Sequence, residues 1–169
     1  MSGLGAALLL AGLVPAAVTA FEGARSWCEA AGDLRGAGRA ALAIGRAWWR
    51  LEQIDRARGA LEEAAALLAR APGPELVAAL VDLGSLLASN LHRHRDGIAH
   101  TRRALALAKS LEDRRLVAAG TRSLGNLLVR SNDLATGIAL LEEALDLATA
   151  LGDPFEAAEC CAGLATAYL

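Results

Sequence analysis

The residues best equipped for chemistry are few, and their spacing argues against a reaction. His92, His94 and His100 are the only histidines, and imidazole is a ready zinc ligand. His92 and His94, at i and i+2, would point to different sides of a helix, and no cysteine or second carboxylate cluster stands near them. The segment therefore reads as a polar turn. Cys28, Cys160 and Cys161 could act as nucleophiles or ligands. An odd count with two adjacent members makes no disulfide framework. Free cysteines are often buried, so these three are expected as reduced thiols in a cytoplasmic protein. Gly3, Gly5 and Gly12 miss the spacing of a phosphate-cradling loop and lack a following lysine. No Ser–His–Asp arrangement suggests itself. The sequence thus predicts a chain that is not an enzyme, with no catalytic residue, cofactor or metal.

The elements that carry these residues follow from composition and period. At 169 residues the chain is long enough for one domain of ordinary size. Lys+Arg 17 against Asp+Glu 19 gives a net charge of −2, so no global basic charge points to nucleic acid or membrane. A hydrophobic fraction of 54% excludes a disordered chain. Only 4% is aromatic, and alanine makes up the difference, which disfavours a β-sandwich. Lys109 is the only lysine, a usage that reflects a GC-rich genome and not a mechanism.

A forty-residue repeat runs through the chain. Leu141-Glu142-Glu143-Ala144-Leu145-Asp146-Leu147-Ala148 matches Thr101-Arg102-Arg103-Ala104-Leu105-Ala106-Leu107-Ala108, then Leu61 to Leu68, then Phe21 to Cys28. Its fourth position is always alanine: Ala24, Ala64, Ala104 and Ala144. Turn signals at Gly32-Asp33, Pro72-Gly73, Glu112-Asp113 and Gly152-Asp153 keep the same period, and Asp can cap the helix that follows. A second motif precedes each block: Leu4-Gly5, Ile44-Gly45, Leu83-Gly84, Leu124-Gly125 and Leu164-Ala165. A large residue follows three positions on, at Leu8, Trp48, Leu87, Leu128 and Tyr168. The small residue lets a neighbouring helix approach, and the large one fills the space beside it. The motif lies one residue further from its block in the third unit, where Asn90 to Asp96 lengthens a turn or helix end.

Each unit is therefore a helix pair. First helices are predicted over about 3–13, 35–51, 75–91, 115–131 and 155–169, and second helices over about 16–31, 55–70, 97–111 and 135–151. The period-3.6 pattern dominates, and no segment alternates as a strand.

With Leu-Gly, a large residue three on, then a small residue, a large one and an alanine, the unit resembles the tetratricopeptide repeat. Repeat two carries this in Ile44, Gly45, Trp48, Ala57, Leu61 and Ala64; repeat four in Leu124, Gly125, Leu128, Gly137, Leu141 and Ala144. Repeat one offers Leu4, Gly5, Leu8, Ala17, Phe21 and Ala24, and the third only Gly97, Thr101 and Ala104 after its insertion. The period departs from the usual 34 residues. Its forty-residue form is similar to the repeat portion of large bacterial transcription regulators and signalling ATPases, and to the repeat domain of animal spindle-orientation adaptors. The resemblance implies an all-α solenoid, a right-handed superhelix of four repeats (about 1–33, 34–73, 74–113 and 114–153) and a final helix at 154–169. Residues 1–169 would form a single domain.

In that family the first helices line a concave groove that takes a peptide or helix of a protein partner. Carried over position by position, the groove would use Arg39, Leu42, Arg46, Trp49 and Arg50 from the second repeat. The third would add Ala78, Val81, Asp82, Ser85 and Ser89; the fourth Ala119, Arg122, Asn126 and Arg130. Trp49 fits the core as well as the groove, and the arginines fit a solvated surface equally. Arg122 and Asn126 have the spacing of a clamp for a C-terminal carboxylate, but Glu159 on the next first helix would repel one. The alternative within the resemblance is a sensor or regulatory segment of a larger regulator or ATPase.

Two expectations concern charge and the chain ends. Arg93, Arg95, Arg102, Arg103, Lys109, Arg114 and Arg115 form a basic stretch, whereas no Lys or Arg follows Arg130. Such asymmetry suits steering of a partner or contact between copies; without interleaved aromatics it does not predict RNA binding. Residues 1–21 carry no charge and end near Val18-Thr19-Ala20, in the manner of a leader, but no basic residue precedes the apolar run. Because the segment keeps the repeat register, it is predicted to form the first helix pair and not a removable leader or membrane span. The last helix, with Phe155, Cys160, Cys161, Leu164, Tyr168 and Leu169, predicts an apolar outer face covered by more of the array or by a homodimer contact.

Overall fold

The computed structural model describes residues 4, 5, 7 and 12–169. The helix predicted over 3–13, with Leu8 in it, lies largely outside the described residues. Among the described residues the regular structure is helical, without a strand. In chain order the helices are α1 (Val14–Ala30), α2 (Leu34–Arg50), α3 (Ile54–Leu68), α4 (Pro74–Ser89), α5 (His94–Ser110), α6 (Arg114–Arg130), α7 (Leu134–Ala150) and α8 (Pro154–Tyr168). The predicted first helices are thus found one residue early. Helix α5 begins three residues before its predicted start, because His94 to Asp96 join the helix and not the turn.

The turns show a finer period than the sequence advertised. A residue with positive φ recurs every twenty positions: Gly12, Gly32, Glu52, His92, Glu112, Asn132 and Gly152, with φ between 54° and 75°. Each sits one residue before the helix-preceding position, and from Gly32 onward it lets the outgoing helix close on itself. The N–H of Asp33 donates to Cys28 O at 2.8 Å, Gln53 to Trp48 O at 3.0 Å, Asp133 to Leu128 O at 2.9 Å and Asp153 to Ala148 O at 3.0 Å. Position 72 breaks the series. It is Pro72, whose ring holds φ near −65°, so α3 and α4 are joined by a longer connection over 69–73. The insertion predicted in the third unit is also visible. There the N–H of Arg93 reaches back to Leu87 O at 2.9 Å, one residue further than in the other turns. Asp33, Asp113, Asp133 and Asp153 cap the next helix, each accepting from a first-turn backbone N–H, such as Gly36 N at 2.8 Å from Asp33.

The chain divides into two compact units, Met1–Leu83 and Gly84–Leu169. In the first, α1 packs on α2 and α2 on α3. Ala17, Val18, Phe21, Ile44, Ala47 and Ala60 form its core, with Val14, Ala43 and Trp48 against them. In the second, α6 packs on α5, α7 and α8, and α7 on α8. Leu105, Leu124 and Leu128 are the core there, flanked by Ile98, Val117 and Leu140.

The Leu-Gly motif marks where the helices of a pair cross. A Cβ on Gly125 would stand 2.9 Å from Leu141 Cγ and 3.0 Å from Gly137 O, and one on Gly45 would stand 2.8 Å from Leu61. Only the absence of a side chain permits that approach. The four repeat alanines are buried, with Ala64, Ala104 and Ala144 fully so.

Candidate functional site

The first helices present two separate faces, one in each unit. In the first unit α2 and the beginning of α4 are joined by ion pairs. Arg35 Nη2 lies 2.8 Å from Glu75 Oε2, and Arg39 Nε is 4.0 Å from the same carboxylate. Arg46 Nε donates to Asp82 Oδ2 at 2.5 Å. Between and beyond these pairs are two concavities. One, of about 420 Å³, is lined by Arg39, Leu42, Ala43, Arg46, Pro74, Glu75 and Ala78. The other, of about 600 Å³, is lined by Arg46, Trp49, Arg50 and Asp82. Trp49 is half-buried at this face, while Trp48 turns the other way, packs on the core and carries the Arg56 guanidinium 4.7 Å from its ring centre.

In the second unit α6 and α8 lie side by side. Arg122 donates to both oxygens of Glu156, at 2.5 and 3.5 Å, and its remaining nitrogen is 3.7 Å from Glu159. Glu156 is buried, so this carboxylate belongs to the fold. Asn126 lies against Gly163, where a Cβ would collide with its side-chain oxygen. Ser85, Ser89, Arg122, Asn126 and Arg130 line a polar concavity of about 330 Å³ together with Glu159 and Thr166.

The residues predicted for a groove are therefore brought together in two groups. Arg39, Arg46, Trp49, Arg50 and Asp82 form one, and Ser85, Arg122, Asn126 and Arg130 the other. The sequence reading missed their acidic partners Glu75 and Glu156. Each carboxylate follows its arginine by a somewhat different distance in sequence, Arg35 to Glu75, Arg46 to Asp82 and Arg122 to Glu156, so no fixed spacing announced the pairs.

Electrostatics separates the two carboxylates of the first unit. The hydrogen bond from Arg35 holds Glu75 below the ordinary carboxylate range, against the opposing effect of burial. Burial pushes Asp82 up, and the nearby Arg46 only partly offsets it. The signs of their pH dependence are opposite. Glu75 adds stability above its unfolded pKa, and this is lost as pH falls through its folded value. Asp82 favours the fold at low pH and loses that contribution as pH rises through its folded value. Glu75→Gln is therefore expected to lower the melting temperature at pH 7 and flatten its decline below about pH 5. Asp82→Asn is expected to leave the neutral melting temperature unchanged or raise it. Thermal melts across pH check both; an Asp82→Asn loss exceeding that of Glu75→Gln contradicts the assignment.

Chemistry elsewhere is sparse. Among the described residues no group of three or more His, Cys, Asp or Glu could hold a metal ion, and no helix is long and apolar enough to cross a membrane. Cys160 is buried and its thiol is pushed up to about 11, first by burial and then by Glu156.

Helix pairs in series, crossing at small residues and closed by capped turns, define the tetratricopeptide-like repeat fold. No family model and no curated protein matches the chain. Solved structures do. The nearly identical TPR-like repeats of a Podosopora anserina kinesin light chain protein superpose with a TM-score of 0.78 at 16% identity, over 99% of this chain and 82% of that one. BtubC (BKLC) from P. vanneervenii gives 0.77 at 19% identity, over 88% of this chain and 62% of that one. A Rap protein in complex with Competence and Sporulation Factor gives 0.81 at 16% identity; 97% of this chain covers 46% of it. At these identities the likeness establishes the fold.

Proposed function

We propose that the chain is a non-catalytic, cytoplasmic interaction module that takes an acidic peptide or helix of a protein partner on the α2–α4 face. A charge excess over an apolar floor carries this reading. Helix α2 brings Arg35, Arg39, Arg46 and Arg50 to the face, and α4 answers with only Glu75 and Asp82. Arg39 keeps 63% of its side chain in solvent, and Arg50 is exposed and enters no ion pair among the described residues. Along the helix the two stand about 16 Å apart. Leu42, Ala43, Ala78 and Trp49 lie between them. A segment with carboxylates near its two ends and an apolar residue between them matches that order. The fold neighbour Rap, solved with a bound factor, supports the reading. The α6–α8 face suits a carboxylate poorly, because Arg122 already holds Glu156 and Glu159.

The same neighbour favours a second reading. The chain spans 46% of the Rap protein's length, as a sensor or regulatory segment of a larger bacterial transcription regulator or signalling ATPase would.

Fluorescence anisotropy with labelled acidic peptides tests the first reading. Trp49→Ala and Arg50→Glu are each expected to weaken binding about tenfold or more, equivalent to roughly 1.4 kcal/mol, while Arg130→Glu leaves it unchanged. Arg46→Glu is a poor probe, because it would set two carboxylates against each other at Asp82. Equal binding by the wild type and both variants defeats the proposal.

A further inference from the structure

The outer helices of the second unit carry opposite charges that enter no ion pair among the described residues. On α5, Arg95, Ala99, Arg102, Ala106 and Lys109 recur at spacings of four and three, which places them on one line of the helix. All five are exposed, and Arg103 flanks the line. The nearby Asp96 is taken up by Arg93 at 2.7 Å. On α7 the corresponding line reads Ala135, Ala139, Glu142, Asp146 and Thr149, flanked by Glu143, again exposed throughout. Neither Arg95, Arg102, Arg103 and Lys109 on α5 nor Glu142, Glu143 and Asp146 on α7 enter an ion pair among the described residues. In the first unit, by contrast, the second helices are tied together by Arg25 and Glu63 at 2.8 Å.

We infer that the α5–α7 surface docks a second copy of the chain, α5 of one protomer lying on α7 of its partner. Short turns on either side of α6 make α5 and α7 run in the same direction. A two-fold axis parallel to these helices then places α5 over the other protomer's α7 without changing height. Because the two lines occupy the same repeat positions, Arg102 falls opposite Glu142, while Arg103 and Glu143 add charge of the same sign on the flanks of their own helices. One turn earlier on the same lines Ala99 meets Ala139, and side chains this small let the helices approach. The contact is self-complementary, each pair occurring twice, and it closes as a dimer. A polyanion fits less well, since α7 would repel it beside the cations. Exposed ion pairs are individually weak and screened by salt, so the dimer should form at low ionic strength and come apart as salt rises.

Sedimentation velocity on the full chain tests this with charge reversals at exposed positions. The wild type is expected to approach twice the monomer mass at low salt and return to monomer at high salt. Arg102→Glu with Arg103→Glu should be monomeric alone, as should Glu142→Arg with Glu143→Arg. Mixed in equal amounts, the two variants should associate, because both contacts of the pair are then attractive. Circular dichroism confirms that each stays folded, and Arg102→Gln with Arg103→Gln serves if a reversal does not. A wild type that stays monomeric at low salt, a reversed variant that still dimerises, or a mixture that does not associate overturns the inference. Association through α8 or through the α2–α4 face would survive in either variant alone, and so is distinguished.

Discussion

Leu141→Ala is expected to lower the unfolding free energy by about 2–5 kcal/mol, among the larger losses for a leucine site. Leu141 is fully buried. Its side chain fills the space left by Gly125 on α6 and by Gly163 on α8, where added Cβ atoms would stand 2.9 and 3.0 Å from it. Truncation therefore opens a cavity against both neighbouring helices, and the helix backbones at this crossing have little room to collapse into it. Denaturant melts measure the change. A loss under about 1 kcal/mol would mean that α7 does not wedge between α6 and α8 as described.

The second large effect comes from adding volume where the repeat demands alanine. Ala104→Leu and Ala144→Leu are each expected to cost about 1–3 kcal/mol by overpacking. Both sites are fully buried in the inner face of a second helix. Unchanged melting at either would contradict the forty-residue register. The two experiments probe opposite failures, a void and a clash, at the first and fourth positions of the same repeat block.

The helix pairs were legible because their signals are local and recur. Ala24, Ala64, Ala104 and Ala144 fixed the period, and the Leu-Gly pairs located the crossings later seen at Gly45 and Gly125. Phe21, Leu61 and Leu141, at one position of the repeat, pack against Gly5, Gly45 and Gly125 in turn. The N-terminal pair was legible in its second member, found as Val14–Ala30. Two turns of the series, at Glu52 and Asn132, carried no signal in the sequence, whereas Glu112 and His92 lie in segments read as turns. Glu52, His92, Glu112 and Asn132 adopt positive φ because backbone hydrogen bonds close the preceding helix, and the types of these residues barely announce it. The ion pairs were less readable still. Arg46 and Asp82 were both named for the groove, yet their pairing depends on how α2 lies beside α4, a long-range matter. The spacings from arginine to carboxylate, between 34 and 40 residues, vary too much for a fixed motif.

That pairing changes what the candidate site offers. Of the predicted groove cations, Arg46 and Arg122 are held closely by carboxylates of neighbouring helices, whereas Arg39 has only a 4.0 Å contact with Glu75, and Arg50 and Arg130 enter no ion pair among the described residues. The binding proposal consequently rests on Arg39, Trp49 and Arg50. Backbone amide NMR during titration with an acidic peptide tests it most directly. Shift changes are expected to concentrate on α2 from Arg39 to Arg50 and on α4 from Glu75 to Asp82, to saturate with peptide and to be lost in Arg50→Glu. Changes confined to α1 and α3, or none at saturating peptide, would contradict it.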